Sequence, residues 1–265
     1  MFDNHVHSFF SADSNMNAET ACEIALRKGL DGLAFTDHID IDYPRIDFTI
    51  NFNEYHACIK ELQDKFKGKL KIIEGLEVGM QQHVAAETNE IIMNYDFDFI
   101  IGSIHLLDRM DPYDKDFYEN KTKHEAYSKY LQEIIKGLSY FSNFDILGHM
   151  DFIIRFAPYK ERSMFYDDFN ELFDEIFKKI VQKGIGIEIN TGSYRKVDGI
   201  ASPVFDLNIL KRYKELGGEI VTIGSDSHSD DYIAYDFKYY IDLLKSCGFK
   251  YTVHFEGRKP ILEAI

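Results

Sequence analysis

Short apolar runs rich in β-branched residues alternate with longer stretches of helical period along almost the whole chain. Such runs predict buried strands, whereas apolar residues at three- and four-residue spacing predict amphipathic helices. The predicted strands are Phe2–Val6, Gly32–Thr36, Leu70–Val78, Phe97–Ile104, Phe144–Gly148, Ile185–Ile189, Glu219–Gly224 and Tyr251–Phe255. The predicted helices are Ala18–Lys28, Asn53–Phe66, Ala85–Asn94, Lys123–Leu138, Asp167–Lys183, Val204–Leu216 and Tyr232–Ser246.

This alternation predicts a single α/β domain, residues 1–265, built around a parallel sheet. Seven or eight strands favour closure into a barrel, with an open doubly wound sheet as the alternative. Several predicted helices end at a glycine, for example Gly184, Gly217 and Gly248. The residue that ends a helix often has a left-handed backbone conformation, which glycine adopts most easily. The stretch 184–186 lacks the third glycine and the helix start of a dinucleotide-binding loop, which disfavours that class.

Composition and charge limit the kinds of molecule that this protein can bind. The formal net charge of −15 repels a nucleic-acid backbone, although it is compatible with a small phosphorylated ligand. No apolar run has the length of a membrane span and no basic-then-apolar leader precedes the first motif, so we expect a soluble cytoplasmic protein. Cys22, Cys58 and Cys247 are far apart and odd in number, which favours buried free thiols over a disulfide framework. No obligate protein partner is evident in the sequence.

Metal-ligand residue types stand at the ends of six of the eight predicted strands. They are His5 and His7, Asp37 and His38, Glu77, His105, His149, and Asp226 with His228. Residues two apart on a strand face the same side, so His5 and His7 point the same way. In a parallel barrel these ends share the face where active sites form, which predicts a metal site there. The other histidines, which we interpret as solvated or hydrogen-bonded, are His56, His83, His124 and His254.

With Asp13 included and Asp37 left out, the candidate metal ligands number nine. They are His5, His7, Asp13, His38, Glu77, His105, His149, Asp226 and His228. Nitrogen and oxygen donors with no nearby cysteine suit Zn, Mn or Fe. Nine ligands are too many for one ion, which binds about four to six. Two or three ions are therefore expected if one carboxylate bridges two of them. A pair of ions ~3.5–4 Å apart is a recurrent device in phosphatases.

The ordered motifs HxH, TDH, a glutamate after the third strand, SxH, GHxD and SDSH resemble the polymerase-and-histidinol-phosphatase (PHP) family over nearly the whole chain. The resemblance implies a distorted (β/α)7 TIM-like barrel that holds three divalent transition-metal ions. It implies one ion on His5, His7, Glu77 and Asp226, a second on Glu77, His105 and His149, and a third on Asp13, His38 and His228. Many members have a histidine where this chain has Asp13, and a carboxylate there favours a harder ion such as Mn or Fe.

Within the family, the chain resembles the stand-alone histidinol-phosphate phosphatases in its length and in the segments GHMDFIIR and EINTGSYRK. These look like the segments that carry phosphate-binding arginines, here Arg155 and Arg195. Arginine suits this role because its planar fork holds phosphate oxygens bidentately. For Arg155 taken alone, a surface ion pair is an equally good interpretation. We interpret Arg45, Arg109 and Arg258 as surface residues.

The expected reaction is hydrolysis of L-histidinol phosphate without a covalent intermediate. A hydroxide bridging two ions attacks phosphorus, while the third ion and the two arginines neutralise charge on the phosphoryl oxygens. His228 or Asp37 is the candidate proton donor to the leaving alkoxide. Ser103 and Ser225 flank ligands and are interpreted as their hydrogen-bonding neighbours. Asp40 or Asp42 could receive the cationic half of the substrate, with a solvated acidic loop as the alternative.

The ligand set is also compatible with other functions. A PHP phosphoesterase acting on a nucleotide or a phosphopeptide would share these residues but be indifferent to an amine. A metal-dependent amidohydrolase is also a barrel with HxH, but it usually has a bridging Lys or His on strand four and a single late Asp. Here Glu77 follows strand three and Asp226 is paired with His228, which disfavours that class. A non-enzymatic metal-binding protein is disfavoured because ligands at an open barrel mouth suit an exchangeable water.

Overall fold

The computed structural model describes residues 1–196 and 201–265. The strands are β1 (Phe2–Val6), β2 (Gly32–Phe35), β3 (His38–Ile39), β4 (Lys71–Gly79), β5 (Phe99–Ser103), β6 (Ile146–Leu147), β7 (Gly186–Asn190), β8 (Val221–Gly224), β9 (Tyr251–Glu256) and β10 (Lys259–Ala264). The helices are α1 (Ala18–Arg27), α2 (Phe52–Lys65), α3 (Ala85–Asn94), α4 (Lys123–Tyr140), α5 (Asn170–Lys183), α6 (Leu207–Glu215) and α7 (Phe237–Ser246). Short 3-10 turns at Phe152–Arg155 and Thr191–Tyr194 carry residues of the site.

The main sheet is parallel and runs in the order β1-β2-β4-β5-β6-β7-β8, with the short β3 paired to the second half of β4. Its two edges meet. Val6 at the end of β1 bridges Ser227 after β8, and the Asp226 amide donates to the His5 carbonyl over 2.8 Å. The predicted (β/α)7 barrel is therefore confirmed. Its seam lies between β8 and β1, next to two of the predicted ligands.

The barrel interior and the inward faces of the helices form the core. Strands β1, β2, β5, β7 and β8 are buried along their whole length, as strands covered on both faces must be. Helix α5 shows the matching pattern, because it buries Phe173, Ile176, Phe177 and Ile180 along one stripe. It ends at Gly184, whose φ of 70° lies in the left-handed region that glycine adopts without strain.

The predicted helices are present, with shifts at their ends. Helix α7 begins at Phe237 rather than at Tyr232, because Ala234 and Asp236 have φ values of 52° and 54° and interrupt the helical backbone. Among the described residues, no helix combines the length and the apolar character that crossing a bilayer requires. Cys22 is buried, Cys58 and Cys247 are partly buried, and all three are free thiols.

The predicted eighth strand is present but is not a barrel strand. It is β9, and it forms an antiparallel hairpin with β10 that the sequence pattern does not predict. The aromatic rings of β9 cover the N-terminal ends of the barrel strands: Phe255 stacks on Phe99 at 5.1 Å and His254 on Phe2 at 3.9 Å. The hairpin therefore closes the bottom of the barrel, the end opposite the ligands.

Strand β10 is the outer strand of this hairpin, and within the described residues its far edge has no neighbour. The Ile265 amide donates to the Lys250 carbonyl, so the odd-numbered residues of β10 bond to β9. The backbone groups of residues 260, 262 and 264 consequently face outward. The first of these is Pro260, which has no N–H to offer.

Candidate metal centre

Glu77, at the end of β4, lies at the centre of the nine predicted ligands. Its Oε2 lies 3.0 Å from His5 Nε2, and its Oε1 lies 2.8 Å from His149 Nε2 and 3.1 Å from His105 Nε2. Its Oε2 also lies 3.2 Å from His38 Nδ1. One buried carboxylate is thus surrounded by imidazoles from four different strands or strand ends, the arrangement expected of a bridging ligand.

The donor atoms fall into four overlapping groups, each with its atoms within 4.8 Å of one another. The groups are His5, His7 and Asp226; His5, Glu77 and His149; His38, Glu77 and His105; and His7, His38 and His228. Asp13 adjoins the last group, with its Oδ2 3.3 Å from His228 Nε2 and 3.8 Å from His38 Nε2. The structure therefore brings all nine predicted residues together, and we call them the ligand cluster. His38 belongs to two of the groups, whereas the family resemblance assigns it to one ion.

Unpaired buried nitrogens show that the ligand cluster fits metal ions. His7 Nε2 and His38 Nδ1 are buried, and neither makes a well-aligned hydrogen bond with the described residues, although a carboxylate oxygen lies 3.2 Å from each. An unpaired polar atom at such a position is costly unless something else occupies its lone pair. Imidazole and carboxylate donors without thiolate suit borderline divalent ions such as Zn, Mn or Fe. The residues present therefore fit the expected cofactor class.

The charges of the ligand cluster reinforce one another. Burial alone would raise the pKa of Glu77, but His5 and His105 outweigh burial and hold that pKa well below its usual value. For His5 the effects are reversed: burial lowers its pKa, but the nearby carboxylates Glu188 and Glu77 outweigh burial. The pKa of His5 therefore lies well above that of free histidine. The pKa of His7 is lowered well below its usual value, by burial and by the neighbouring His228 and His38. The centre therefore holds anionic carboxylates at neutral pH.

Glu188 on β7 orients two ligands and was not predicted from the sequence. Its Oε1 accepts a hydrogen bond from His5 Nδ1 over 2.6 Å, which turns His5 Nε2 towards Glu77. Its Oε2 accepts from the His149 amide over 2.9 Å. Gly224 permits this approach, because a Cβ there would collide with the Glu188 carboxylate and with His5. A carboxylate behind a ligating histidine fixes its ring orientation and increases its basicity.

Asp40 and Asp37 also lie behind ligands. Both Asp40 oxygens lie 3.0 Å from His105 Nδ1, and although burial opposes it, His105 lowers the pKa of Asp40 to about 2. Asp40 therefore orients a ligand, which leaves it poorly placed to receive the cationic half of a substrate. Asp37 accepts hydrogen bonds from the amides and hydroxyls of Ser8 and Ser11, and Ser11 Oγ contacts His7 Nδ1 at 3.2 Å. Burial raises the pKa of Asp37.

The other flanking residues have defined places. Ser103 donates to Glu77 Oε1 over 2.6 Å, and the Ser225 hydroxyl donates to the His5 carbonyl over 3.4 Å, so both are hydrogen-bonding neighbours of ligands as expected. The Ser225 amide donates to Asp3 Oδ1 over 2.9 Å. Asp3, inside β1, also accepts from the Ala234 amide and so fastens the barrel seam. Asp42 lies at the surface, where it pairs with His83 and Arg109.

The two predicted phosphate-binding arginines differ in position. Arg155 lines the cavity above the ligand cluster, where its Nη2 donates to Asp226 over 2.6 Å and to Asn190 over 2.9 Å. Arg195 does not line this cavity. Its Nη2 donates to the carbonyls of Ser225 and Asp226 over 2.6 and 2.8 Å, and its guanidinium lies 4.2 Å from the centre of the Tyr232 ring. Arg155 can thus reach a bound anion directly, whereas Arg195 holds the loop that carries Asp226.

The cavity has a volume of about 470 Å³, a size typical of small-molecule sites. On one side it exposes members of the ligand cluster and Arg155. The other residues that line it are Asp40, Tyr43, Arg45, Ile46, Phe48, Asp111, Tyr113, Phe152 and Phe156. Arg45 is thus a cavity residue as well as a partly exposed one, whereas Arg109 and Arg258 form ion pairs elsewhere, with Asp42 and Asp145. A phosphate ester could place its phosphoryl group at the ligand cluster and its alcohol against the aromatic wall.

The four remaining histidines lie outside the ligand cluster, as expected. His56 is 60% exposed and pairs with Glu74, and His83 pairs with Asp42. His124 stacks on Phe169 at 5.1 Å. His254 lies at the bottom of the barrel between two glutamates of the hairpin. The distinction between strand-end histidines and the others therefore separates the site from the rest of the described chain.

Comparison with known proteins agrees with this geometry. Over 97% of this chain and 98% of the relative, the sequence is 37% identical to a protein of Clostridium acetobutylicum named a probable histidinol-phosphatase. It is 35% identical to the histidinol-phosphatase of Lactococcus lactis subsp. lactis, over 97% of this chain and 95% of the relative. A crystal structure of histidinol phosphate phosphatase from the same bacterium, complexed with Zn, L-histidinol and phosphate, matches with a TM-score of 0.91 and 33% identity over 98% of both chains.

The family assignment rests on a match that runs through the site. Residues 3–192 match the PHP domain, and this range includes the whole ligand cluster apart from Asp226 and His228. Those two follow β8 and approach β1 across the barrel seam. Since the match covers more than half of the sequence and the ligand cluster is complete in three dimensions, this chain belongs to the PHP domain family.

Proposed function

We propose that this protein hydrolyses L-histidinol phosphate to L-histidinol and phosphate. The observation that carries the proposal is the ligand cluster around Glu77, which opens into a cavity lined by Arg155 and an aromatic wall. The Lactococcus lactis structure, which holds Zn, L-histidinol and phosphate and matches over 98% of both chains, supports the same substrate for this chain. The reaction is a step of histidine biosynthesis, as expected of a histidinol-phosphatase.

The nine residues of the ligand cluster would hold three divalent ions. Glu77 would be the shared ligand, with His5, His7 and Asp226 on one side and His105 and His149 on the other, while Asp13, His38 and His228 would hold the third ion. Bound ions of this class supply a hydroxide nucleophile at neutral pH and neutralise phosphoryl charge. Glu188, Asp40 and Asp37 keep the imidazoles and the loops of the site oriented.

The protein side chains bind the phosphoryl group and surround the leaving alcohol. Arg155 donates from the cavity wall to a non-bridging oxygen, and Arg195 assists from behind through the Asp226 loop. Such preorganised donors stabilise charge that grows in the transition state. Of the two candidate proton donors, His228 lines the cavity, whereas the Asp37 oxygens already accept hydrogen bonds from Ser8 and Ser11. We therefore place His228 rather than Asp37 beside the leaving alkoxide; since it is also one of the nine ligands, a water beside it would supply the proton.

A substrate panel on metal-reconstituted protein tests this proposal. The panel contains L-histidinol phosphate, a nucleoside monophosphate, phosphotyrosine and, as a test for amidohydrolase activity, a cyclic amide. We expect the highest kcat/KM with L-histidinol phosphate and no hydrolysis of the amide. Elemental analysis of gently purified protein should show more than one transition-metal ion per chain. Equal rates for all phosphomonoesters would favour a general phosphoesterase, and full activity with at most one ion would exclude the three-ion site.

A further inference from the structure

Asn190 is the last residue of β7 and follows Glu188 by two positions. Residues two apart on a strand face the same side, so both side chains point towards the ligand cluster. Asn190 is only 2% exposed. Since a buried amide is costly unless its polar atoms are paired, the partners of Asn190 show what it does there.

The Asn190 side chain uses all of its hydrogen-bonding positions. Its Nδ2 donates to Glu188 Oε2 over 3.1 Å and to Asp226 Oδ2 over 3.2 Å. Its Oδ1 accepts from Arg155 Nη2 and from the Gly192 amide, each over 2.9 Å. An amide offers two N–H groups and two lone pairs, so this set is complete. A flipped amide would direct its N–H groups at a guanidinium and its oxygen at two carboxylates, so only one orientation fits.

Arg155 is the cation of this network, and several contacts fix its guanidinium. Its Nη2 donates to Asn190 and to Asp226 Oδ2, the latter over 2.6 Å, and its Nε donates to Ser193 Oγ over 3.1 Å. Its guanidinium carbon lies 4.9 Å from the centre of the Phe152 ring. Within the described residues its Nη1 makes no hydrogen bond, and Arg155 lines the cavity. Nη1 is therefore the nitrogen that can donate to a bound anion.

A neutral donor suits the charge around Asn190. Burial would raise the pKa of Glu188, but His5 outweighs burial and lowers it. Burial also opposes ionisation of Asp226, but Arg155 and His5 hold its pKa well below the usual value. Both carboxylates are thus anionic acceptors at neutral pH. An amide can donate to both at once, whereas a third carboxylate at position 190 would repel them.

We propose that Asn190 is a positioning residue that sets the phosphate-binding Arg155 and the metal ligand Asp226 relative to each other. The same amide also holds Glu188, the carboxylate behind His5, so one side chain connects three parts of the site. This inference rests on the proposed function and specifies what keeps its arginine in place. Loss of the amide should weaken metal binding and phosphate binding together.

The first experiment compares two variants of Asn190 with a matched control. Asn190→Ala should lower kcat/KM for L-histidinol phosphate and Zn affinity, measured by chelator competition, by about 10- to 100-fold each. Asn190→Asp keeps the volume and should lower kcat/KM similarly, because an ionised carboxylate cannot donate. Asn4 is also buried on a strand, but its Nδ2 donates to the Ile223 carbonyl over 3.2 Å. Asn4→Ala should change the thermal midpoint and leave the rate per metal-loaded molecule unchanged.

A double-mutant cycle separates positioning from a general loss of stability. Calorimetry measures the affinity of Zn-loaded protein for inorganic phosphate in wild type, Asn190→Ala, Arg155→Ala and the double variant. Asn190→Ala should weaken phosphate binding about 10-fold in wild type and about 2-fold or less in Arg155→Ala, since much of its effect acts through the guanidinium. A merely structural asparagine would cost the same factor in both backgrounds.

Three results would overturn the inference. They are an unchanged kcat/KM in Asn190→Asp, losses of equal size in Asn4→Ala and Asn190→Ala, or the same factor in phosphate affinity for Asn190→Ala with and without Arg155. A wild type that does not hydrolyse L-histidinol phosphate would overturn the proposed function alone. In that case Zn and phosphate binding still decide the role of Asn190.

Discussion

Glu77 and Asp13 are both acidic ligands, but they occupy different positions in the centre. Glu77 is fully buried and contacts imidazoles on several strands. Asp13, by contrast, contacts two histidines at the edge of the centre among the described residues, and its side chain is 34% exposed. Glu77→Gln should therefore cost more activity and more bound metal than Asp13→Asn, because it would disturb two ions at once. Turnover of L-histidinol phosphate and metal content per chain are the measurements. Similar losses in the two variants would show that Glu77 is not a bridge.

Glu188 acts on the centre through His5 and His149. Glu188→Gln should weaken metal binding by roughly 10- to 100-fold, because the ring orientation and basicity of His5 depend on this carboxylate. Glu74→Gln is the matched control: Glu74 is also a buried strand glutamate paired with a histidine, but that histidine is the exposed His56. Competition with a chelator measures the affinities. Equal metal affinity in wild type and Glu188→Gln would contradict the orienting role.

The two arginines call for separate tests. Arg155→Ala should lower kcat/KM for L-histidinol phosphate by about 10²–10³, the cost of losing one preorganised donor to the transition state. Arg155→Lys should recover only part, since an ammonium cannot make a two-pronged contact. Arg195→Ala should lower kcat/KM as well, because this arginine holds the loop that carries the ligand Asp226. A thermal midpoint that falls while the rate per metal-loaded molecule stays unchanged would contradict this.

Individual site residues were predictable where local chemistry marks them. The strand-end ligands stand out because parallel strands deliver their C-terminal ends to one face, whatever the details of packing. Glu188 and Asp3 were missed because their partners come from strands that meet only when the barrel closes. The available signal was a charged residue inside an otherwise apolar strand, as in GIEIN and FDNHV. The position of Arg195 against backbone carbonyls depends on a loop path that no residue pattern specifies.

At the scale of elements, helix α5 offers a test of how backbone conformation ends a helix. Gly184 has a φ of 70°, and a Cβ placed there would meet nothing within 4 Å. Gly184→Ala should therefore destabilise the fold by about 1 kcal/mol through left-handed strain alone, and Gly184→Asn by less, because asparagine tolerates this region. Urea unfolding monitored by circular dichroism measures both. An alanine variant as stable as wild type would contradict the strain argument.

Elements with strong local patterns were predicted well, and those that depend on distant partners were not. The long helices and the strands β4 and β7 follow from their periodicity. Strand β6 shortens to Ile146–Leu147, and β3 exists only because His38 and Ile39 align with the end of β4. The hairpin was missed because β10 is mostly exposed and carries no clear alternation. The sequence pattern predicted its partner β9 as one more strand of the parallel sheet, because a buried apolar run does not indicate which sheet the strand joins.

At the scale of the whole molecule, metal binding should be coupled to proton release. The carboxylates around His5 and His105 raise the pKa of both imidazoles well above that of free histidine despite their burial, so the metal-free protein holds these protons at neutral pH. A cation must displace them, and its affinity should therefore rise with pH. Calorimetric titration with Zn in two buffers of different ionisation enthalpy measures the number of protons released. Heats that do not depend on the buffer would contradict this coupling.

The same raised pKa values give a second expectation for the metal-free protein. Stability contributed by protonated His5 and His105 is complete below the pKa of unfolded histidine and is lost as pH rises through their higher folded values. Metal ions take the place of those protons. The increase in thermal midpoint on adding Zn should therefore be larger at alkaline than at mildly acidic pH. An increase that shrinks as pH rises would contradict this.

The outer strand of the hairpin has a consequence for how copies of this protein meet. An unpaired strand edge is a template on which another chain can extend the sheet, and β10 exposes Ile261 and Leu262 beside its free edge. Pro260 removes one outward donor from that edge, and Lys259 and Glu263 place charges along the same strand. These features disfavour strand-to-strand aggregation at the hairpin that closes the bottom of the barrel. The hairpin can therefore cover the barrel without nucleating fibres.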